Sequence, residues 1–427
     1  YPHNYTSMIR TLSQFLPRSY SLCTMCRMLQ SFLLVLVACT SISPSAADEL
    51  SDGVIEWVQS KPGGYYNADK LEIRRGDPND ETSPLGVFAK ADIEPNETLM
   101  RIPTECYIHV WDEAKNMNLD DMEGATEAYN HNMCLLAQKT KREMQLQDKS
   151  EFAPYVRYLN NQRRGQLPAT WSDYGKELLQ DLLPQGTDGV NWMQKFKGKC
   201  ISSTDTFEEQ VLAVTKQRAF DDAMIPLWDM VNHDNGRINT ENTSMYDKDG
   251  LRAWASRAIK AGEEIYMSYD KCKDCMDVDE YWGTPEILRD FGFVEPHPHR
   301  FVYTDQEIWF EVWESENGGE KEVRWDDYKI DGSYDPNDYN SSPDRPGIDF
   351  MRNELKRVNE MPPHDGICPP NVPPHECAII TQYKRAVTEA LPLAIESAES
   401  WLTDVQEVQE DHCWKISPAG TRVENLY

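Results

Sequence analysis

Ile225-Pro226-Leu227-Trp228-Asp229-Met230-Val231-Asn232-His233 is the stretch on which the reading of this chain turns. A short apolar run ends in a polar pair, Asn232-His233. Alone, that pair is an ordinary turn. Three further segments surround it. Upstream stands Pro84-Leu85-Gly86-Val87-Phe88-Ala89, followed by Asp92-Ile93 and Thr98-Leu99-Met100-Arg101-Ile102-Pro103. Downstream, Arg257-Ala258-Ile259-Lys260-Ala261-Gly262-Glu263-Glu264-Ile265 runs on to Ser268-Tyr269-Asp270. The last is Glu286-Ile287-Leu288-Arg289-Asp290-Phe291-Gly292-Phe293-Val294.

The texture around these segments separates strands from helices. Val54, Ile55 and Val58 share a stripe, predicting a helix from Asp48 to about Lys70. From Leu71 to Pro103, short apolar runs broken by Gly, Pro and Asn predict β-hairpins, with Glu72 to Pro84 as a polar loop. Leu251, Ala253 and Ala255 alternate with Arg252, Trp254 and Ser256, a strand pattern. Ile265 to Tyr269 reads as another strand. Between Thr104 and Thr215 the alternation vanishes and spaced Leu, Met and aromatic residues predict a helical block. A helical block inside a β-system reads as an insertion. Beyond Arg300, Ile308, Phe310 and Val312 alternate like a strand, and Glu314 to Asp344 reads as an acidic linker. Val387 to Val408 follows helical spacing, with Pro392 predicted to kink it.

The 427 residues suffice for two or three domains. The charge is lopsided, 43 − 72 = −29. Such a field repels phosphate backbones and argues against nucleic acid as a partner, while a Lys-bearing protein would be attracted. Residues 1–24 form an extension before Met25. Residues 25–47 have the layout of a signal peptide: Arg27, the apolar run Phe32 to Ala38, then Ser45-Ala46-Ala47. That run is too short for a comfortable membrane span of about 20 residues, so no stable membrane insertion is expected. Eight of the eleven cysteines follow the signal, and an even number permits disulfides. Cys272-Lys273-Asp274-Cys275 could be half a zinc site, a redox pair or neither. Past the signal segment no second CxxC follows, the other, Cys23-Thr24-Met25-Cys26, lying before the cleavage point, and the nine histidines lack ligand spacing, so no metal is expected.

In order and spacing, the four segments resemble the split-SET-domain protein methyltransferases, the family of the Rubisco large-subunit lysine methyltransferase and the actin-histidine methyltransferase. Phe152-Ala153-Pro154-Tyr155, Leu167-Pro168 and Trp171 look like that family's signature inside its insertion. The resemblance covers residues 50–300. It implies an α+β fold: a β-rich SET core with a helical insertion at 104–215. A smaller, mainly helical C-terminal region, 301–427, would follow and contact substrate.

The resemblance also implies roles. The cofactor is S-adenosyl-L-methionine, itself the reactive agent that the protein positions. Leu85 and Gly86 would approach it through their backbone. Asn232 would hold its amino-acid end, His233 would meet the adenine mainly through its own backbone, and Phe293 would wall the adenine pocket. Arg218, eleven positions before Asp229, would pair with the cofactor carboxylate through its guanidinium fork. Asp229 would serve the same end. Tyr269 matches the catalytic tyrosine, and Phe220, Trp228 and Phe291 would line the target channel.

Two departures stand out. The family's Gly-x-Gly loop reads Pro84-Leu85-Gly86 here, replacing a flexible residue by a rigid one. Phe291 stands where some lysine-methylating relatives carry Tyr, which leaves open the number of methyl groups added. Phe220 favours a lysine target, because the histidine branch has Asn there, whereas Trp228 resembles the histidine branch. Three readings stand together: a lysine methyltransferase, a histidine methyltransferase of the same fold, and a catalytically silent SET fold that binds a protein. The signal points to the secretory pathway, or to a plastid reached through it, or to the cytoplasm if the chain starts elsewhere.

Overall fold

The structure, a computed structural model, describes residues 46–413 apart from 78–79, 81–82, 112–124, 186, 188, 203, 221, 270–282, 316–318 and 326–342. Leu50 to the C-terminal end of the described chain forms one compact unit. The extension 1–24, most of the signal peptide and the Cys272/Cys275 pair lie outside the described residues.

Helix α1 (Ala46–Gln59) buries Val54 and Val58, and it stops short of the expected Lys70 because Pro62-Gly63-Gly64, with Gly63 at φ +81°, turn the chain into a strand. The strands β1 (Tyr65–Tyr66), β2 (Leu71–Arg75), β3 (Leu85–Ala89), β4 (Thr98–Ile102) and β5 (Ile108–His109) follow. Strand β2 corrects the expected loop over Glu72 to Pro84. Leu71 and Ile73 alternate inward with Glu72 outward, and the whole stretch Leu71 to Arg75 pairs antiparallel with β3. The sequence signal was masked because Arg74 and Arg75 continue the strand with charged residues.

The expected helical block contains α2 (Ala125–Leu146), α3 (Ala153–Asn160), α4 (Asp173–Leu182) and α5 (Thr206–Arg218). Asp205 caps α5, its carboxylate accepting from the Phe207 and Glu208 amides that no helical carbonyl can reach. This helix matters for the site because its last residue is Arg218.

The chain then re-enters the β-system through β6 (Ala219–Phe220), β7 (Ala223–Met224), β8 (Asn232–His233), β9 (Thr240–Asn242), β10 (Leu251–Ala255) and β11 (Tyr266–Met267). One sheet has the order β1-β4-β10-β9, and β8 lies parallel to β11 with Asn232 opposite Tyr266 and His233 opposite Met267. Strand β3 is flanked on its other side by residues 263–265, through Ala89 N–H to Glu263 O at 2.8 Å and Ile265 N–H to Val87 O at 2.8 Å. Val87, Phe88 and Ala89 are therefore all buried, without the alternation of a half-exposed strand. A single apolar core runs from Val54 through these strands to Met267.

Helix α6 (Thr284–Phe291) carries the fourth segment. It ends at Gly292, at φ +84°, where a Cβ would lie 2.2 Å from Gln166 O, so a side chain is excluded on both grounds. The C-terminal region opens with an antiparallel sheet of β12 (His299–Tyr303), β13 (Ile308–Glu314) and β14 (Lys321–Trp325). Strand β14 corrects the expected linker from Glu314 onward: Glu322 and Arg324 are exposed while Val323 and Trp325 pack on the core. Helices α7 (Arg345–Glu360) and α8 (Pro374–Cys413) follow, and α8 continues through Pro392. A second core joins them to β12, β13 and α4.

Two disulfides are present among the described residues. Cys134 to Cys200 ties α2 to the run leading into α5, with Cα atoms 5.5 Å apart, and Cys368 to Cys377 spans 5.8 Å before and within the start of α8. No described helix is long and apolar enough to cross a membrane.

Candidate active site

The residues 229–233 form the floor on which the other segments converge. Their path is set by Leu227, at φ +67°, and by the short 3-10 turn Trp228–Met230 that follows. A non-glycine residue at positive φ is strained, and here Leu227 is wholly buried and held by packing.

Asn232 spends both amide protons within the protein. Its Nδ2 donates to Leu85 O at 3.0 Å and to Glu264 Oε1 at 2.7 Å. Two acceptors on one side fix the amide orientation. Its Oδ1 is thereby left as an acceptor. Gly86 explains the glycine requirement in this loop: a Cβ there would lie 2.1 Å from Glu264 Oε1 and 2.8 Å from Asn232 Nδ2. The first position of the loop tolerates Pro84 because the close approach is made at Gly86. Glu264 also accepts from Tyr266 Oη at 2.8 Å.

Arg218 reaches the same floor from the end of α5. Its Nη1 donates to Asp229 O at 2.8 Å and to Asp229 Oδ2 at 3.3 Å, and its Nη2 donates to Gln162 Oε1 at 2.6 Å. The guanidinium carbon lies 5.1 Å from the Tyr158 ring centroid. Asp229 Oδ2 also accepts from Tyr155 Oη at 2.9 Å, while its buried Oδ1 has no hydrogen-bond partner among the described residues. Burial raises the Asp229 carboxyl to about 6, although Arg218 and the Tyr155 hydroxyl pull it down.

Tyr269 is tied to the floor at two points. Its hydroxyl donates to Val231 O at 3.0 Å, and its backbone N–H donates to His233 Nδ1 at 3.0 Å. Burial raises the Tyr269 phenol above its ordinary value, so it is protonated at neutral pH. Its ring centroid lies 4.6 Å from that of Phe291 and 5.2 Å from His233. Phe293 stands 6.1 Å from His233. Phe220 and Trp228 form a second aromatic pair at 6.4 Å, with Trp228 only 2% exposed. Phe220 and Tyr269 flank the same core that contains Trp228.

The residues named from the sequence thus assemble around 229–233. Beyond the backbone role expected of His233, its ring is buried and bonded at both nitrogens, Nε2 lying 2.8 Å from Glu295 Oε2. Glu264, Glu295, Gln162 and Tyr158 were missed. Glu264 sat inside a quoted segment, but a charged residue beside a turn reads as surface. Nothing in spacing links Glu295 to His233, 62 positions earlier. Among the described residues, no group of three or more His, Cys, Asp or Glu is placed to hold a metal.

The SET domain family model matches residues 85–270. The chloroplastic fructose-bisphosphate aldolase-lysine N-methyltransferase of Arabidopsis thaliana is 26% identical over 249 residues, 52% of this chain and 48% of that protein. The chloroplastic ribulose-1,5 bisphosphate carboxylase/oxygenase large subunit N-methyltransferase of Nicotiana tabacum is 24% identical over 298 residues, 59% of this chain and 55% of that protein. The chain therefore spans about half the length of these curated relatives. A solved SET domain of LSMT, bound to lysine and AdoHcy, shares 13% identity at a TM-score of 0.49, covering 89% of this chain and 98% of that one. With the order of its segments and the matched family model in agreement, this chain contains a SET domain over residues 85–270.

Proposed function

We propose that this protein is an S-adenosyl-L-methionine-dependent protein-lysine N-methyltransferase. One observation carries the proposal: Arg218, the Leu85-Gly86 backbone and Tyr269 all converge on the five residues 229–233, which carry Asn232. The residues fit the cofactor's zwitterionic end. Asn232 Oδ1 is an acceptor suited to an ammonium, and Arg218 is a fork suited to a carboxylate. When bound, the cofactor would supply an electrophilic sulfonium methyl.

The chain's own residues would do the rest. Methyl transfer to an amine needs near-attack alignment, which supplies much of the rate. Tyr269, Phe291, Phe220 and Trp228 would surround the incoming side chain with aromatic rings, which favour a cation at their faces and exclude water. A lysine ammonium has an ordinary pKa of about 10.4 and must lose its proton before attack. Desolvation among these rings would lower that pKa. Tyr269 would orient the amine and would not act as the base, because its own phenol is held protonated. Phe220 offers an imidazole no hydrogen bond, which supports lysine over histidine; both curated relatives are named as lysine or large-subunit N-methyltransferases.

The two disulfides support an oxidising compartment, in keeping with the signal-like segment. The relatives are chloroplastic, and a plastid reached through the secretory route would accommodate both. The net charge of −29 supports a Lys-bearing, basic protein surface as the partner.

The test is calorimetric titration of S-adenosylmethionine into the purified protein beside Asn232→Ala. Micromolar binding that the variant loses supports the reading, and methylated Rubisco or aldolase peptides are then sought by mass spectrometry. A folded protein that binds no S-adenosylmethionine leaves the silent, partner-binding fold as the better account.

A further inference from the structure

Glu295 lies outside every segment from which the site was read, yet it stands behind the tyrosine. It is 2% exposed. One oxygen, Oε2, is 2.8 Å from His233 Nε2, and the other, Oε1, accepts from Thr284 Oγ1 at 2.6 Å. His233 Nδ1 in turn accepts the backbone N–H of Tyr269 at 3.0 Å.

The chemistry allows one arrangement of protons. A neutral imidazole carries its proton on one nitrogen only. Nδ1 faces an N–H and must be bare, so the proton sits on Nε2 and points at Glu295. A carboxylate at Nε2 therefore selects the tautomer that can receive Tyr269. With that carboxylate gone, the ring is free to place its proton on Nδ1, where it would confront the Tyr269 N–H and break the contact. The same use of an outer carboxylate to fix a histidine is familiar at metal sites.

Glu295 is itself held from a second direction. Thr284 opens α6, and its hydroxyl also accepts the Arg300 N–H at 3.0 Å, at the start of the C-terminal sheet. The far end of α6 carries Phe291, whose ring lies 4.6 Å from that of Tyr269. One carboxylate thus sets the backbone of the tyrosine through His233 and anchors the helix that supplies the ring beside it.

We infer that Glu295 is a positioning residue: it fixes the Nε2–H tautomer of His233 and thereby registers Tyr269 against Phe291. This rests on the proposed methyl transfer only for its consequence in turnover. The tautomer itself is independent of that reading.

The experiment uses the full chain, labelled with 15N-histidine, as wild type, Glu295→Gln and Glu295→Ala. Glutamine keeps an acceptor for Nε2–H without the charge and guards against loss of folding. Long-range 1H–15N correlation reports which ring nitrogen is protonated, with His233→Asn identifying the resonance. The Nε2–H form is expected in wild type and Glu295→Gln, and a mixture or the Nδ1–H form in Glu295→Ala. On Rubisco or aldolase, Glu295→Ala should lower kcat about tenfold or more, with S-adenosylmethionine affinity within about threefold and glutamine restoring most of the loss. That contrast is about the size of one net hydrogen bond acting on the reacting geometry. A His233 tautomer that is Nδ1–H in wild type, or unchanged in Glu295→Ala, overturns the inference. So does a loss of kcat that glutamine fails to restore. If no protein is methylated by wild type, the enzyme reading fails while the tautomer still decides the role of Glu295.

Discussion

Gly86→Ala is the most informative single substitution. The added methyl would sit 2.1 Å from Glu264 Oε1 and 2.8 Å from Asn232 Nδ2. Both are closer than carbon tolerates, so one must move. The carboxylate is the end of a flexible side chain and moves first. Its withdrawal breaks the 2.7 Å bond from Asn232, a charge-assisted hydrogen bond worth about 1.5–3 kcal/mol. Melting temperature should then fall by roughly 3–12 °C, at about 2–4 °C per kcal/mol for larger domains. Asn232 loses one of the two bonds that aim its Oδ1, so S-adenosylmethionine affinity should fall about tenfold, the equivalent of about 1.4 kcal/mol. Differential scanning fluorimetry and calorimetric titration measure the two effects. A double-mutant cycle isolates their cause: in a Glu264→Ala background the 2.1 Å contact no longer exists. The cost of Gly86→Ala should shrink there by at least about 1 kcal/mol, within the range for residues in contact. A cost that is unchanged by Glu264→Ala would refute the steric argument, and a variant that melts and binds like wild type would refute the role of the glycine altogether.

Other outcomes follow from the same geometry. Asp229 has a carboxyl raised by burial to about 6; a raised acid stabilises the fold fully below its unfolded pKa and loses that contribution as pH rises through the folded value. Melting curves of wild type minus Asp229→Asn should therefore decline between pH about 4 and 6 and level off above; a flat difference would count against the buried assignment. Tyr269→Phe removes the donor to Val231 O. It should cost about 1 kcal/mol of stability and lower kcat while leaving S-adenosylmethionine affinity near wild type. The wild-type rate profile should show no inflection from this phenol below pH about 10, and a tyrosinate absorbance change near neutral pH would contradict that. Removing the 66-residue bridge with Cys134→Ser and Cys200→Ser should destabilise by about 4 kcal/mol on the chain-entropy account. Unfolding in denaturant, with and without reductant, checks this: equal midpoints would mean the pair is not bonded.

What was legible in the sequence is what local chemistry dictates. Asn232-His233, Gly86 and Tyr269 were named because the short segments that carry them resemble, in their order and spacing, the split-SET pattern. What was not legible depends on contacts between distant positions. Strand β2 was hidden because its second half is Arg74-Arg75, whose side chains are half-buried at a sheet edge. Strand β14 was hidden by its charged residues: Glu322 and Arg324 face solvent, and Lys321, on the side of Val323 and Trp325, is half-buried and paired with Glu389. The pairings Cys134–Cys200 and Cys368–Cys377 could not be chosen among eight cysteines by counting. The partners of the His233 ring, the Tyr269 backbone N–H and the Glu295 carboxylate, were not legible because no periodicity connects them to it.

The site is held together mostly by side chains gripping backbone. Arg218 holds the Asp229 carbonyl, Tyr269 holds the Val231 carbonyl, Asn232 holds the Leu85 carbonyl, and His233 holds the Tyr269 amide. Such contacts fix the path of the chain rather than the rotamer of a neighbour. A side-chain change at 229–233 therefore shifts segments that are far apart in sequence, and losses there should be non-additive. The same logic locates tolerance. Pro84 meets its neighbour through its carbonyl, which accepts the Gly76 N–H at 3.1 Å and which proline keeps, whereas at Gly86, one residue from the gripped Leu85 carbonyl, a methyl would lie 2.1 Å from Glu264 Oε1.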